Sequence, residues 1–504
     1  MMETGVEQKA VVVADRVRRD PHAPYYHFVA PEGDAMPFDP NGALHWRGRY
    51  HLFYIFQDDR LCHDDLQGGE HAWGHASSED LFRWTFHPTA LTSRDGSSGT
   101  GIFSGCGLID KGGVPALMYH GVEAGTCMAA PADDDLICWS PSPHNPVIRV
   151  PNEGEPGWGQ YNVFDPHCWI EADRYHMILG GKVKPHDRYD TAYLFTSEDL
   201  VDWRYERPFY EPRPEWTDPG EDCACPDFFR LGHRWVLMCI SHRRGLRYYL
   251  GDLRDGRFVP QEHHRMNWPG GTCFASESLV DGRDRRIMWA WVIDQRSGPK
   301  GDARRLGVMT LPRVLRMGPD GQLRIEPVEE ITKLRRGHTR LEDISIASGS
   351  ETGIEEVQGD GLELVLRFRP GLSRRFGLTV MQAPDGSEQT RIVLDRDDET
   401  IAIDTSRSSL SCDVFRPFPL FEDDAADYPV QTAPIVIDPS GAVTLRVFVD
   451  RSIVEVFVDD RQCVTQRIYP TLRSAMGISA FSEDGSIMIE SIDAYEMARV
   501  NLGE

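Results

Sequence analysis

A short apolar strand pattern returns five times along this chain at near-regular intervals. The returns are Arg49-Tyr50-His51-Leu52-Phe53-Tyr54, Val114-Pro115-Ala116-Leu117-Met118-Tyr119, Arg174-Tyr175-His176-Met177-Ile178-Leu179, Arg234-Trp235-Val236-Leu237-Met238 and Arg286-Ile287-Met288-Trp289-Ala290-Trp291. Successive starts lie 65, 60, 60 and 52 residues apart. A second repeat agrees with the first: Ser78-Glu79-Asp80-Leu81-Phe82-Arg83-Trp84 recurs two periods later as Ser197-Glu198-Asp199-Leu200-Val201-Asp202-Trp203. Repeats of this length, built of short strands and Gly, Pro and Asp turns, read as propeller blades, because one such unit cannot bury both its faces alone. From about 25 to 330 the expectation is therefore a five-bladed β-propeller whose funnel receives a small polar substrate.

The rest of the chain is organised around that unit. Residues 1–24 read as a tail or a docking strand. The charged stretch Thr332-Lys333-Leu334-Arg335-Arg336-Gly337-His338 marks a boundary. From 345 to 504 strict alternation resumes, as in Leu362-Glu363-Leu364-Val365-Leu366-Arg367-Phe368 and Leu445-Arg446-Val447-Phe448-Val449-Asp450. With a hairpin signal at Asp459-Asp460, this predicts an antiparallel β-sandwich. The fold class is all-β.

A net charge of −25 argues against nucleic acid or an anionic membrane as partner, since both need a positive field. No apolar run approaches a membrane span, and Ala10-Val11-Val12-Val13-Ala14 is too short for a secretory signal, which favours the cytoplasm. The eleven cysteines are scattered, which predicts free thiols. Cys223-Ala224-Cys225 lacks a second pair and makes no zinc site. No motif requires a cofactor or a metal. A small polar substrate is the expected partner, and a homodimer stays open.

Nine or ten residues before each repeat stand Asp39, Ser104, Asp165, Ala224 and Glu277. Blades related by rotation bring equivalent positions toward one axis, and carboxylates in such apolar, turn-rich company are costly unless bonded or functional. On spacing alone, turn initiation by Asp-Pro is an equal alternative. Trp73, Trp158, Trp268 and Trp291 could stack on the flat face of a substrate, although most such aromatics fill blade cores.

Several motifs, in order, resemble glycoside hydrolase family 32, the invertases, levanases and inulinases. They are Asp39-Pro40-Asn41-Gly42, Trp73-Gly74-His75, Phe103-Ser104-Gly105, Asp165-Pro166, Cys225-Pro226-Asp227, Leu311-Pro312-Arg313 and Phe448-Val449-Asp450-Arg451-Ser452. The resemblance implies a propeller plus a sandwich and retaining hydrolysis of a terminal β-fructofuranosyl or related furanosyl unit. It implies Asp39 as nucleophile and Asp165 as transition-state stabiliser, with Asn41, Trp73, Ser104 and Glu277 near the substrate. The family's acid/base Glu, directly before Cys-Pro, is here Ala224. Phe38, Phe164 and Ile55 likewise replace polar family positions. Asp222, two residues before Ala224 and on the same strand face, is the candidate replacement acid, with Glu277 second. Such an acid should carry a raised pKa while Asp39 stays ionised. An enzyme for another furanoside and a silent sugar-binding protein are the alternatives.

Overall fold

The computed structural model describes residues 2–32, 38–58, 70–95, 101–296, 306–436 and 442–504. It opens with a helix, α1 (Met2–Arg19), where the sequence suggested a tail or strand. Among its described side chains, those from Gln8 on, Val13 and Val17, one turn apart, are buried, while Val11 and Val12 are exposed. Two inward positions are too few to set a readable helical period.

Five antiparallel sheets come next in chain order. The first comprises β1 (Pro40–Trp46), β2 (Arg49–Asp58), β3 (Glu70–Ser78) and β4 (Trp84–Phe86). The second has β5 (Ile102–Ile109), β6 (Pro115–Gly121), β7 (Gly125–Pro131) and β8 (Trp139–Pro141), with β9 (Ile148–Arg149) added on β7. The third is β10 (Pro166–Glu171), β11 (Arg174–Lys182), β12 (Asp190–Ser197) and β13 (Trp203–Pro208). The fourth is β14 (Ala224–Leu231), β15 (Arg234–Ser241), β16 (Gly245–Arg254) and β17 (Arg257–Arg265). The fifth is β18 (Cys273–Val280), β19 (Arg286–Val292), β20 (Arg313–Met317) and β21 (Leu323–Pro327). These are the blades of a five-bladed propeller, and each apolar repeat is the second strand of its blade.

The reason those second strands read as apolar runs is that both their faces are covered. Leu117 and Tyr119 of β6 pack with Phe53, Ile55 and Trp73 of the first sheet. Ala116 and Met118, on the opposite face, pack with Cys168, Met177 and Leu179 of the third. Ile178 then turns the other way, into a cluster with Phe228, Leu237 and Cys239 of the fourth. The second and third sheets are thus each sandwiched by their neighbours, which is why a single blade has no stability of its own.

The second sequence repeat is a turn. Ser78 Oγ accepts the N–H groups of Asp80 and Leu81, and Asp80 Oδ1 accepts those of Phe82 and Arg83. Ser197 and Asp199 repeat the same bonds to Asp199, Leu200, Val201 and Asp202. Those bonds hold buried leucines at φ 72° (Leu81) and 68° (Leu200), a region a leucine seldom adopts unaided.

Packing divides the chain into two compact units. One contains Met1–Ala10, Ala30–Met266 and Phe274–Trp291, the other Val11–Val29, Asn267–Cys273 and Val292–Glu504. The last two strands of the fifth sheet, β20 and β21, thus fall in the second unit. Within the second unit Arg313 of β20 pairs with Glu455 at 3.1 Å, and Ile325 N–H of β21 donates to Asp460 O. The last two blade strands are thereby tied to the hairpin at 455–460. Across the stretch 332–338 a 3₁₀ turn, Glu329–Leu334, runs directly into the strand Arg335–Ile346.

That unit contains two six-stranded sheets. In spatial order one is Arg335–Ile346, Ile487–Met497, Gly361–Arg369, Val443–Asp450, Ile453–Val458 and Gln462–Arg467. The other is Ser350–Gly353, Gly477–Ser482, Arg375–Gln382, Thr390–Asp395, Thr400–Asp404 and Val430–Pro434. Leu362, Leu364, Leu366 and Phe368 enter a shared core with Leu378, Ile392, Ile401 and Val447, which makes a β-sandwich. Asp459 (φ 48°) and Asp460 (φ 55°) form the tight turn after Val458, as two left-handed residues in a hairpin should.

The ten cysteines among the described residues are free, and all but Cys138 and Cys412 are buried. Among the described residues no helix is long and apolar enough to cross a membrane.

Gly42 anchors the first blade beside Asp39. It sits at φ 56°, and a Cβ there would stand 2.9 Å from Leu117, 3.0 Å from Phe53 and 3.1 Å from Trp73. Gly42→Ala is expected to lose about 1–3 kcal/mol of stability, from the positive φ and the overpacking together. A thermal melt of the variant that overlays the wild type would refute this.

Candidate active site

Antiparallel pairing decides where the site lies. Pro40 pairs with Tyr54, Ile102 with Gly121, Pro166 with Leu179 and Ala224 with Ile240. The starts of the inner strands and the ends of the second strands therefore share one end of each sheet, and Asp39, Ser104, Asp165 and Cys225 meet at that end. Ser104 Oγ donates to Asp39 Oδ2 at 2.9 Å. The Cys225 backbone N–H donates to Asp165 Oδ2 at 2.9 Å. The Cys225 thiol lies 3.5 Å from Asp39 Oδ2, 3.6 Å from Asp165 Oδ2 and 3.3 Å from Ser104 Oγ. One buried sulfur thus links both carboxylates.

Both aspartates are buried, and each keeps one oxygen, Oδ1, with no hydrogen-bond partner. Buried acceptors in that condition are costly unless a ligand completes them. The backbone is strained to match: Asp165 has φ 31° and Cys225 φ 45°. Outliers at two residues joined by a hydrogen bond are a mark of a functional turn.

Burial raises the pKa of Asp39 against the opposing bonds from Ser104 and Cys225 and the charge of His242. Burial pushes Asp165 up to about 7, with the Cys225 N–H opposing and the neighbouring Asp39 charge adding to the rise. Both carboxyls are thus held above their ordinary range, and the Asp39 charge is one of the causes at Asp165.

Asn41 links the first two blades. Its Nδ2 donates to Asp39 O and its Oδ1 accepts Gly105 N–H at 3.0 Å, while Ile55 N–H also donates to Asp39 O. In this structure Asn41 holds the backbone that carries Asp39. Trp73 has no exposed surface: its indole N–H donates to Phe103 O at 3.0 Å and its rings pack against Phe53 and Tyr119. It offers no face to a sugar here and instead supports the strand beneath the site. Trp291 is buried against Phe38 and Phe274.

Glu277 does not reach the aspartates' level. Cys273, the first residue of β18, corresponds to Pro40 of β1, so Glu277 lies four residues along its strand. There its Oε1 accepts Ala43 N–H at 3.1 Å, and burial, with Asp227 nearby, drives its pKa well up. Counting back from Arg286 misplaces it because five residues, 281–285, separate β18 from β19, where only Arg47 and Gly48 separate β1 from β2.

Asp222 stands across from His242, in continuation of the Ala224–Ile240 pairing. His242 N–H donates to Asp222 Oδ1 at 3.0 Å, and the ring Nδ1 lies 2.7 Å from Oδ2. Burial would raise the Asp222 pKa, but the bonds and charge of His242 outweigh it and hold the carboxyl below its usual range. The expectation of a raised pKa at Asp222 is thus overturned by a partner from the opposite strand. Phe164 packs between two rings, 5.1 Å from His120 and 6.4 Å from His242. Beside it is a cavity of about 310 Å³, lined by Asn162, Phe164, Gly181, Lys182, Asp187 and Asp222.

Three participants were missed in the sequence. Cys225 was noted only as a motif tail and as half of a rejected zinc pair. His120 and His242 escaped because the ends of the second strands were not placed in register, although those ends necessarily face the starts of the first.

The profile of the glycosyl hydrolases family 32 N-terminal domain matches residues 27–327, and that of the family 32 C-terminal domain matches 330–496. The chain belongs to glycosyl hydrolase family 32. It is a glycosidase of the β-fructofuranosidase-like kind. A levanase of Bacillus subtilis is 28% identical, over 95% of this chain and 71% of that protein. A sucrose-6-phosphate hydrolase of Zymomonas mobilis is 27% identical, over 92% of this chain and 90% of the relative. Among solved structures, fructan 1-exohydrolase IIa of Cichorium intybus superposes with a TM-score of 0.79 at 24% identity, covering 95% of this chain and 98% of that one, and so shares the fold.

Proposed function

We propose that this family 32 protein releases terminal β-fructofuranosyl units with retention, with Asp39 as nucleophile and Asp165 as the group that binds sugar hydroxyls as positive charge develops. One observation carries the reading: two buried carboxylates, tied together by Cys225 and Ser104, each keep an uncompleted oxygen. A furanosyl ring entering there supplies hydroxyl donors to Asp165 and its anomeric carbon to Asp39. The ester so formed is then opened by water, which gives net retention. Names among the relatives, levanase and fructan 1-exohydrolase, support a fructoside as the sugar.

A second reading keeps the chemistry and changes the sugar. Phe38, Ile55 and Phe164 present hydrocarbon where the family resemblance leads one to expect polar side chains, which disfavours some fructose hydroxyl contacts. Sugar release from sucrose, short inulin, levan and a panel of aryl furanosides tests both readings. Fructose from the natural glycosides supports the first. Release of another sugar from its aryl furanoside, with none of fructose, moves the assignment to the second. Binding without turnover on every substrate rejects both in favour of a silent sugar-binding protein.

A further inference from the structure

Ala224 leaves the site without the carboxylic acid expected directly before Cys225, yet a furanoside with an ordinary alcohol leaving group needs a proton at the glycosidic oxygen. We infer that His242, oriented by Asp222, gives and retakes that proton, a proposal that rests on the hydrolase reading above. His242 directly follows β15, at the strand end that faces Ala224, and its ring lies 6.4 Å from Phe164, the residue before Asp165, and 6.1 Å from Phe274. Asp222 grips it at two points, the backbone N–H and Nδ1, which fixes the ring and places a proton on Nδ1. Nε2 is left on the other side of the ring with no hydrogen-bond partner among the described residues, and the side chain is 51% exposed. That is the condition of a group that must reach a substrate and water in turn.

The charges around it agree. Burial lowers the imidazole pKa, but the bond and charge of Asp222, with Asp165 and Asp39 beyond, outweigh it and raise the value. The charge of Lys182, on β11, also helps to keep Asp222 ionised. His120, the other histidine against Phe164, is lowered to about 4 by burial and is neutral, so it does not compete as a donor.

The proton balance closes. As an Asp39 oxygen bonds to the anomeric carbon and the glycosidic C–O bond breaks, Nε2–H passes its proton to the departing oxygen, which leaves as a neutral alcohol. Neutral His242 then takes a proton from water as that water bonds to the anomeric carbon and the Asp39 ester breaks. Asp222 stays ionised throughout and is a positioning residue.

His242→Ala is the first test, assayed on sucrose and on an aryl β-fructofuranoside whose leaving group needs no proton, each with and without azide. The expected loss in kcat/KM on sucrose is ~10²–10⁴-fold, with a much smaller loss on the aryl substrate. Azide, which needs no general base, should restore aryl turnover and yield a β-fructosyl azide. Asp222→Asn supplies an independent readout should the alanine variant fold poorly. The acid must be protonated to act, so weakening its partner should move the alkaline limb of kcat/KM to lower pH. Equal losses on both substrates without azide rescue, or unchanged sucrose turnover, would overturn the role of His242, as would an unmoved alkaline limb in Asp222→Asn. Wild-type protein inert on every fructoside would instead remove the hydrolase reading and this inference with it.

Discussion

Asp39→Asn is expected to abolish sugar release, by about 10⁴-fold or more in kcat, while leaving the fold and the affinity for unhydrolysed sugar in place. A side-chain amide is a very poor nucleophile, so the covalent route is closed rather than slowed. The substitution is nearly isosteric, and the amide oxygen can still accept the Ser104 hydroxyl at Asp39's position. Removing a carboxylate whose pKa burial has raised also relieves a cost to the folded state. The variant should therefore melt no earlier than the wild type, which separates lost chemistry from lost structure. Steady-state rates on the best natural substrate, with calorimetric titration of that sugar into the variant, make the check. Turnover above one part in a hundred would show that Asp39 is not the nucleophile. Loss of binding together with turnover would show that its charge holds the sugar instead.

How far the sequence was readable depends on what each residue is used for. The second strands were legible because the stacking of sheets forces apolar side chains onto both their faces, as Leu117 and Met118 show from opposite sides of β6. Asp39 and Asp165 were legible because each directly precedes the first strand of its blade, and the strand spacing holds in those blades. Glu277 was misjudged where that spacing fails, at a hairpin with a longer turn. Trp73 was legible as an aromatic but not as a buried one, since only the positions of Phe53 and Tyr119 decide whether its face is free. Over its described side chains helix α1 buries Val13 and Val17 alone, too few to leave a pattern. The Asp222–His242 pair joins residues 20 apart in the chain, and nothing local in either segment announces the other. Asp222 taken alone, in apolar company, suggests a protonated acid. Its partner reverses that, and the partner comes from the tertiary structure.

Asp165→Asn should stabilise the protein in a pH-dependent way while it destroys activity. The sign is set by the carboxyl's two pKa values. In the folded chain Asp165 is raised to about 7, chiefly by burial and also by Asp39, from a reference of 3.8. Below the reference value both folded and unfolded chains hold the proton, and the wild type has no penalty. Between the two values the unfolded chain ionises while the folded one does not, so stability falls as pH rises. Above the folded value the penalty is complete, of order 2–4 kcal/mol by linkage. Asparagine carries no such penalty. The melting temperature of Asp165→Asn should thus match the wild type near pH 4 and exceed it by several degrees at pH 8. Part of the shift comes from Asp39, so Asp39→Asn should lower the Asp165 pKa, and the gains of the two changes should not add. A gain of equal size at both pH values would mean that packing, not titration, is responsible. An absence of gain at pH 8 would mean that the site tolerates both charges and that Asp165 is no reservoir of strain. The expected outcome is a site that gives up stability to keep two carboxylates close together, because the reaction needs one of them to attack and the other to meet the charge that develops.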